Sequence, residues 1–338
     1  MKRLGKWLFL SVLAIFLLTA CGGQNAQENS AAGSDGGHQP AAEQPVANPA
    51  ESVAETGKRT AYPLVVTDAA GKQLTVEKVP ERIVSTSPAE TEILFALGLA
   101  ERIVGVSDYD DYPQEALTKP KVGGIVSPNE EAILALNPDL VIGGISLDRP
   151  VAEKLQSLGM PIYISHPNSL EEIMQNILTL GVITDRQQQA EEIVAGMKRD
   201  IERVKEALKD ISADEQKKVY IEFAPGWTVG RGEFMHELIT LAKGVNIAAD
   251  TEGWNLISEE KVLEANPDVI LFAHGVIDEV TGESLEQIIR SRSGWEKIRA
   301  IQEQRVVGLD QNVLSRPGPR ITQGLMEVAK AIYPELVK

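Results

Sequence analysis

The sequence predicts an α/β protein with two similar lobes, each built on a parallel sheet, and a ligand cleft between them. The first observation is a segment that occurs twice, because residues 130–142 and 259–271 align without a gap at a constant shift of 129 residues. The second is the content of each copy, a short helix followed by an apolar strand. The third is a long helical pattern between the copies, which predicts a helix joining the lobes. Clefts between lobes are frequent ligand sites.

Each copy of the repeat predicts a helix, a turn and a strand. In the first copy the apolar residues have helical spacing up to Leu136, and Asn137 must leave the α region because Pro138 follows it. The apolar run 140–142 is typical of a buried strand in a parallel sheet. The second copy repeats the Asn-Pro-Asp turn at 266–268. Two copies of one supersecondary unit indicate two lobes of the same architecture.

The first twenty residues predict a secretory signal. Three basic residues precede the almost wholly apolar run 8–18, which is too short for a stable membrane span, and small residues lead to Cys21. Cys21 is the only cysteine of the chain, so a disulfide framework is impossible. The pattern resembles the lipobox of bacterial lipoproteins. That resemblance implies an extracytoplasmic protein held at the bacterial cell membrane by a diacylglyceryl group on Cys21, with two acyl chains for stable anchoring.

Residues 21–60 predict a lipidated, disordered tether. After Cys21 they are mostly Gly, Ala, Ser, Gln, Glu, Pro and Asn, with hardly a large apolar side chain to bury. A flexible chain of this length has a mean reach of roughly 35 Å. The formal net charge of −16 argues against nucleic acid as a partner and against adhesion to anionic lipid.

The remaining chain divides into an N-terminal α/β lobe at 61–168, linking helices at 169–211 and a C-terminal α/β lobe at 212–338. The N-lobe is predicted to begin with a hairpin of strands 64–67 and 73–76. Ser87-Pro88 then predicts the start of a helix that ends at Gly98. Further strands are predicted outside the repeat at 82–85, 104–106, 161–164, 218–223 and 306–309. The C-lobe is predicted to contain a loop at 224–232, a helix at 233–243 and a terminal helix after the 315–319 loop.

Several local motifs together resemble one family. They are residues 82–85 with 87–92, residues 105–107 with 111–113, the two Asn-Pro-Asp turns and the loop 315–320. Over residues 62–335 the chain resembles the periplasmic-binding family for ferric siderophores, haem and cobalamin. The resemblance implies two Rossmann-like lobes joined by a long rigid interdomain helix, in a monomer that acts as the solute receptor of an ABC importer. Its partners would be a permease with two transmembrane subunits and a cytoplasmic ATPase.

The repeat predicts a pair of docking residues. Glu131 and Glu260 occupy matching positions in the first turns of matching helices, so pseudo-symmetry places them on equivalent tips of the two lobes. The resemblance implies salt bridges from such glutamates to arginines of the permease, one per lobe. The helix dipole alone also favours carboxylates there. Their neighbours Glu130 and Glu259 could share the role, and the sequence does not separate the two pairs.

Candidate ligand contacts follow the predicted strands, where loops at the carboxyl ends face the cleft. They are Tyr109, Trp227, Arg231, Trp254, Asn312 and Arg316. Aromatic side chains are suitable walls for a large planar chelate. At the position equivalent to Trp254 the first copy has Ile125, where cobalamin binders of the family can carry an aromatic residue, so the chelate stays open among ferric siderophore, cobalamin and haem.

The residue types present suggest two alternative functions, a free-metal receptor and a membrane-tethered hydrolase. A free zinc or manganese receptor would use His166, His236 or His274 with the aspartates at 108, 110 and 111, but zinc sites usually show clustered His or Cys ligands. The aspartates are interpreted as a solvated loop. A membrane-tethered hydrolase lacks a nucleophile or metalloprotease motif, and Glu90 and Glu92 are interpreted as helix-start acids. The sequence therefore predicts a receptor, not an enzyme, with no metal or cofactor of its own.

Overall fold

The structure is a computed structural model that describes residues 58–144 and 146–337. The predicted signal, Cys21 and most of the predicted tether lie outside these residues. All described residues fall within one compact unit. Within them, no helix has both the length and the apolar character needed to cross a membrane.

The N-lobe consists of an antiparallel hairpin and a four-stranded parallel sheet with helices between its strands. Its elements are β1 (Leu64–Thr67), β2 (Gln73–Val76), β3 (Ile83–Ser85), α1 (Pro88–Ala96), β4 (Ile103–Val106), α2 (Glu130–Ala135), β5 (Leu140–Gly143), α3 (Arg149–Ser157) and β6 (Ile162–Ile164). The sheet order is β4-β3-β5-β6. Ser87 is the N-cap of α1 with Pro88 in its first turn, and Gly98 follows it at φ +74°, as the sequence predicted.

Two long helices then lead into the C-lobe. The elements are α4 (Leu170–Ile183), α5 (Gln187–Ala207), β7 (Lys217–Glu222), β8 (Trp227–Val229), α6 (Phe234–Leu241), β9 (Gly244–Asn246), β10 (Trp254–Leu256), α7 (Glu259–Ala265), β11 (Val269–His274), α8 (Leu285–Ser291), α9 (Arg299–Gln302), β12 (Val306–Asp310), α10 (Gln311–Ser315) and α11 (Ile321–Ile332). The parallel sheet has the order β12-β11-β7-β9. The predicted fold class, α/β with parallel sheets in two lobes, is confirmed.

The repeat forms α2 with β5 in one lobe and α7 with β11 in the other. Asn137 and Asn266 end their helices in the left-handed region, at φ +46° and +48°. The aspartate of each turn binds the backbone at the start of an earlier strand. Asp139 accepts the N–H of Arg82, directly before β3, and Asp268 accepts the N–H of Lys218 in β7. The Asn-Pro-Asp motif therefore reverses the chain and aligns the next strand beside an earlier one.

The link between the lobes consists of two helices, because residues 184–186 interrupt the predicted helical stretch. Asp185 has a φ of +58°, and its carboxylate accepts the backbone N–H of Thr60 at 2.8 Å and pairs with Arg59 at 3.0 Å. Ordered contacts are thus already present before the predicted lobe boundary at residue 61. The buried faces of α4 and α5 belong to one apolar cluster with residues of both lobes.

One predicted loop contains a strand. Residues 224–232 were predicted as a loop, but Trp227–Val229 forms β8 and pairs antiparallel with β10, with Trp254 opposite Val229 and Leu256 opposite Trp227. The partner strand lies more than twenty residues later, and three residues carry too little alternation to predict a strand. We call the pair β8 and β10 the aromatic ribbon.

Candidate functional site

The lobes meet where the carboxyl ends of their strands face each other. Arg316, beyond β12, places Nη1 2.6 Å from Asp111 Oδ1 in the loop after β4. Asn312 donates to the other oxygen of Asp111 at 3.1 Å. The guanidinium of Arg320 lies over the ring of Tyr112 at 3.9 Å from its centroid. These contacts join the edge strand of one sheet to the edge strand of the other and define one end of the cleft.

A buried glutamate anchors this junction. Glu92, on α1 and 3 % exposed, receives two hydrogen bonds from Arg320, at 2.6 and 2.7 Å. A third comes from Arg316 at 3.0 Å. The interpretation of Glu92 as a helix-start acid does not account for this environment, because its carboxylate is enclosed and balanced by two arginines of the other lobe. We call Glu92, Arg316 and Arg320 the interlobe ion cluster.

The predicted contacts Asn312 and Arg316 are therefore engaged between the lobes. Arg316 is largely buried, with carboxylates of both α1 and the loop after β4 around its guanidinium. Tyr109, in the same loop, has 62 % of its surface exposed. The structure brings Tyr109, Asn312 and Arg316 together at one end of the cleft. Sequence reasoning missed Glu92, Arg320 and Tyr112, although all three lie in the motifs that suggested the family.

The aromatic ribbon carries the other predicted contacts. Antiparallel register and strand alternation place Trp227, Val229, Trp254 and Leu256 on one face. Val229 is buried, whereas Trp227, Trp254 and Leu256 are 42, 44 and 64 % exposed. Large apolar side chains that are exposed next to one another are typical of interaction and ligand-binding surfaces.

The ribbon is fixed to the sheet beneath it. Thr228 donates through Oγ1 to the Ile221 carbonyl at 2.6 Å, and the Asn246 amide donates to the Val229 carbonyl at 2.9 Å. The ring of Phe223 packs edge-on against Trp254, with 4.9 Å between centroids. The ribbon is therefore a preformed wall that follows β7 at the carboxyl edge of its sheet.

Arg231 lies just beyond the ribbon and is exposed. Its Nη2 is 4.0 Å from a carboxylate oxygen of Glu252, which is also exposed. Arg231 thus belongs with Trp227 and Trp254, while Asn312 and Arg316 belong to the end of the cleft near β12. The ribbon follows β7, and two strand spacings separate β7 from β12 in the sheet order, which corresponds to roughly 10 Å.

Two further carboxyl groups are buried behind the cleft. Glu90 accepts a hydrogen bond from Ser165, and Asp110 accepts one from Ser107 at 2.5 Å. One oxygen of each has no hydrogen-bond partner within the described residues. Burial raises the pKa of Glu90 and of Asp110, because the charged form loses its hydration. The interpretation of the aspartate run as a solvated loop is wrong for Asp110, which is buried. Glu90 lies in the first turn of α1, as predicted, and is buried there.

Replacement of Glu90 by Gln should make the free energy of unfolding less dependent on pH. A carboxyl group whose pKa is raised on folding stabilises the protein below its unfolded pKa, and that contribution is lost as pH rises through the folded pKa. The stability of Glu90→Gln relative to wild type should therefore rise above pH 4.5, by about 1.4 kcal/mol for each pH unit between the two pKa values. Urea unfolding between pH 4.5 and 8 measures this difference, and a pH-independent difference would contradict it.

The histidines that the structure describes, His166, His236 and His274, belong to no cluster of metal ligands there. Within residues 58–144 and 146–337 no three His, Cys, Asp or Glu side chains are placed to hold an ion. His236 contacts the Asn246 amide at 3.1 Å through Nδ1, and burial lowers its pKa. These findings do not support the alternative of a free zinc or manganese receptor.

The helix-start glutamates of the repeat differ in their environments. Glu130 pairs with Lys154, and Glu259 lies 3.5 Å from Arg292. Glu131 and Glu260 are exposed, and neither has an ion-pair partner in the part of the chain that the structure describes. The two lobes thus each present one uncompensated carboxylate in the first turn of α2 or α7.

Two α/β lobes, each built on a parallel sheet and joined by long helices, are the architecture of two-lobed α/β solute-binding proteins. The profile of the family described as periplasmic binding protein matches residues 83–313. An uncharacterized ABC transporter substrate-binding lipoprotein, YvrC, of Bacillus subtilis (strain 168) is 31 % identical, with 100 % of this chain and 99 % of the relative covered. The chain belongs to the periplasmic binding protein family.

Two further proteins resemble the chain. The vitamin B12-binding protein of Yersinia pseudotuberculosis (serotype O:3, strain YPIII) is 30 % identical over 71 % of this chain and 82 % of its own length. The crystal structure of a possible iron-binding, periplasmic solute-binding protein of Staphylococcus epidermidis ATCC 12228 superimposes with a TM-score of 0.66 at 29 % identity. The superposition covers 76 % of this chain and 100 % of the Staphylococcus epidermidis protein. These relatives are named as binding proteins.

Proposed function

We propose that the protein binds one metal chelate between its lobes and delivers it to an ABC permease outside the cytoplasm. The observation that carries the proposal is the exposed face of Trp227, Trp254 and Leu256 on a ribbon that is hydrogen-bonded to the sheet. Large chelates with planar ligands bury well against preformed aromatic walls. Relatives named for binding vitamin B12 or iron support this ligand class.

The charges of the cleft favour a chelate of low net charge. Arg316 and Arg320 are balanced by Glu92 and Asp111, so they offer little free positive charge to a ligand. Of the two arginines among the predicted contacts, Arg231 lies farther from a carboxylate, since its Nη2 is 4.0 Å from Glu252. A polyanionic ferric catecholate would require convergent cations. We therefore place cobalamin and ferric hydroxamates ahead of ferric catecholates, with Tyr109, Asn312 and Arg316 as the polar end of the site.

Delivery relies on the two exposed glutamates. In this proposal Glu131 and Glu260 each form a salt bridge with an arginine of one transmembrane subunit, and Glu130 and Glu259 are occupied by Lys154 and Arg292. A cytoplasmic ATPase drives the permease. A lipid anchor at Cys21 keeps the monomer at the membrane, and the tether allows it to rotate between capture and docking.

A fluorescence titration tests the ligand class. The full mature chain in detergent is titrated with cobalamin, haem, a ferric hydroxamate and a ferric catecholate while tryptophan emission is recorded. Saturable quenching at submicromolar concentration is expected for cobalamin or the hydroxamate, because two of the four tryptophans lie on the exposed ribbon. A folded protein that responds to none of the four would contradict the proposed function.

Replacement of Trp254 by Ala should weaken chelate binding by about 1 to 3 kcal/mol, since an aromatic wall residue contributes on that scale. Isothermal titration calorimetry measures the change without reliance on tryptophan emission. Leu158→Ala is the matched control, because Leu158 is 54 % exposed at the end of α3, on the other lobe. Unchanged affinity in Trp254→Ala would remove the ribbon from the site.

A further inference from the structure

A polar pocket of about 410 Å³ lies on the N-lobe, beside the turn of the β1–β2 hairpin. Its walls come from that turn, from the end of β6 and from α4, and none of the residues proposed for the chelate lines it. The hairpin turn is fastened to β6, because the Ala69 N–H donates to the Ile164 carbonyl at 2.9 Å. We call this cavity the hairpin pocket.

Two buried polar side chains at the hairpin pocket have unused hydrogen-bonding atoms. Asp68 is 6 % exposed, and its Oδ1 accepts the Lys72 N–H at 2.8 Å while its Oδ2 has no partner among the described residues. Asn176 is also 6 % exposed, and its Oδ1 accepts the Tyr163 hydroxyl at 3.1 Å while its Nδ2 has no partner within residues 58–144 and 146–337. A buried polar atom without a partner costs about 1 to 3 kcal/mol, so one acceptor and one donor in one cavity require an explanation.

The electrostatics of the hairpin pocket favour a cation. Asp68 and Glu172 line it, and no lysine or arginine does. Burial and the charges of Glu90 and Asp68 raise the pKa of Tyr163 to about 12. The Tyr163 hydroxyl therefore keeps its proton at neutral pH and continues to donate to Asn176, which leaves the Asn176 amide N–H groups for another acceptor.

We propose that the hairpin pocket binds a small organic ammonium compound that also carries a hydrogen-bond acceptor. The ammonium group donates to Asp68 Oδ2, and the acceptor receives the N–H of Asn176 Nδ2. In this proposal the exposed rim side chains Glu172 and Gln175 turn outward to admit the compound. A metal ion does not fit, since the described residues provide no group of three ionisable ligands. The site is independent of the proposed chelate function.

Calorimetry on the full chain in detergent tests the hairpin pocket. Ethanolamine, 1-amino-2-propanol and glycine are the probes, and ethylene glycol is the uncharged counterpart of ethanolamine. At least one ammonium probe should bind, ethylene glycol should not, and Asp68→Asn should weaken the probe at least tenfold. Asp278→Asn is the matched control, because Asp278 also accepts backbone N–H groups in an exposed turn. It should leave the affinity unchanged.

Three results would overturn the proposal: no ammonium probe binds, ethylene glycol binds equally well, or Asp68→Asn binds as tightly as wild type. Circular dichroism establishes whether Asp68→Asn is folded, and Asn176→Leu takes its place with the same tenfold threshold if it is not. Chelate affinity measured on the same variants should stay within twofold of wild type, so a failure of this site is distinguishable from a failure of the proposed function.

Discussion

Replacement of both Glu131 and Glu260 by Ala is expected to abolish chelate uptake by cells while the dissociation constant of the chelate stays unchanged. Each lobe loses its one uncompensated carboxylate in the first turn of α2 or α7. Removal of one partner from a charge pair buried at an interface costs about 2 to 5 kcal/mol. Two such losses should lower uptake by more than a hundredfold. Labelled chelate uptake in cells and calorimetry on the purified variant measure the two effects.

The matched control for docking is the double variant Glu130→Ala with Glu259→Ala. It removes the same charge from the same helix turns, but these carboxylates are already paired with Lys154 and Arg292. Uptake should fall less than fivefold. Equal losses in the two double variants would show that net negative charge, and not the Glu131 and Glu260 positions, determines docking. A loss of chelate affinity in Glu131→Ala with Glu260→Ala would contradict the assignment altogether.

Replacement of Glu92 by Ala should lower the free energy of unfolding by about 3 to 5 kcal/mol, because it leaves the guanidinium groups of Arg316 and Arg320 without their shared partner. Three hydrogen bonds converge on this carboxylate, and both arginines are largely buried. The contact also joins the lobes, so the loss should be accompanied by weaker chelate binding. Urea unfolding followed by far-ultraviolet circular dichroism measures the stability.

The matched control for Glu92→Ala is Glu286→Ala, which removes a glutamate from an exposed ion pair. Glu286 pairs with Arg290 on α8 at 2.9 Å, but both side chains are more than 40 % exposed, so its loss should cost less than about 1 kcal/mol. A cost for Glu92→Ala as small as that of Glu286→Ala would mean that solvent enters the interlobe ion cluster and replaces the missing charge.

Local signals were sufficient for most of the helices and strands. Pro88 after Ser87 and Gly98 at positive φ mark the limits of α1 without any tertiary information. The two Asn-Pro-Asp turns revealed the duplicated unit, and their observed conformations are nearly the same. The terminal helix predicted after the 315–319 loop is α11, and its residues Leu325 and Val328 are buried. In these segments the residues that decide the structure lie within a few positions of one another.

The features that the sequence missed depend on distant residues. Glu92 meets Arg316 and Arg320 across more than 220 positions, so no spacing rule joins them. The strand β8 exists because β10 pairs with it, and its three residues have no distinctive pattern by themselves. Tyr109, Asn312 and Arg316 follow β4 or β12, as the sequence indicated, but the carboxylate partners of Arg316 come from distant segments and were not predictable.

The anomalous X-ray scattering of the chelated metal, measured in crystals grown with the chelate that binds, tests the central claim most directly. One strong peak is expected between Tyr109 and the face of the aromatic ribbon formed by Trp227, Trp254 and Leu256, and that peak should be lost in the Trp254→Ala variant. A metal peak elsewhere on the molecule, or none in crystals that contain the chelate, would contradict a receptor that carries its ligand between the two lobes.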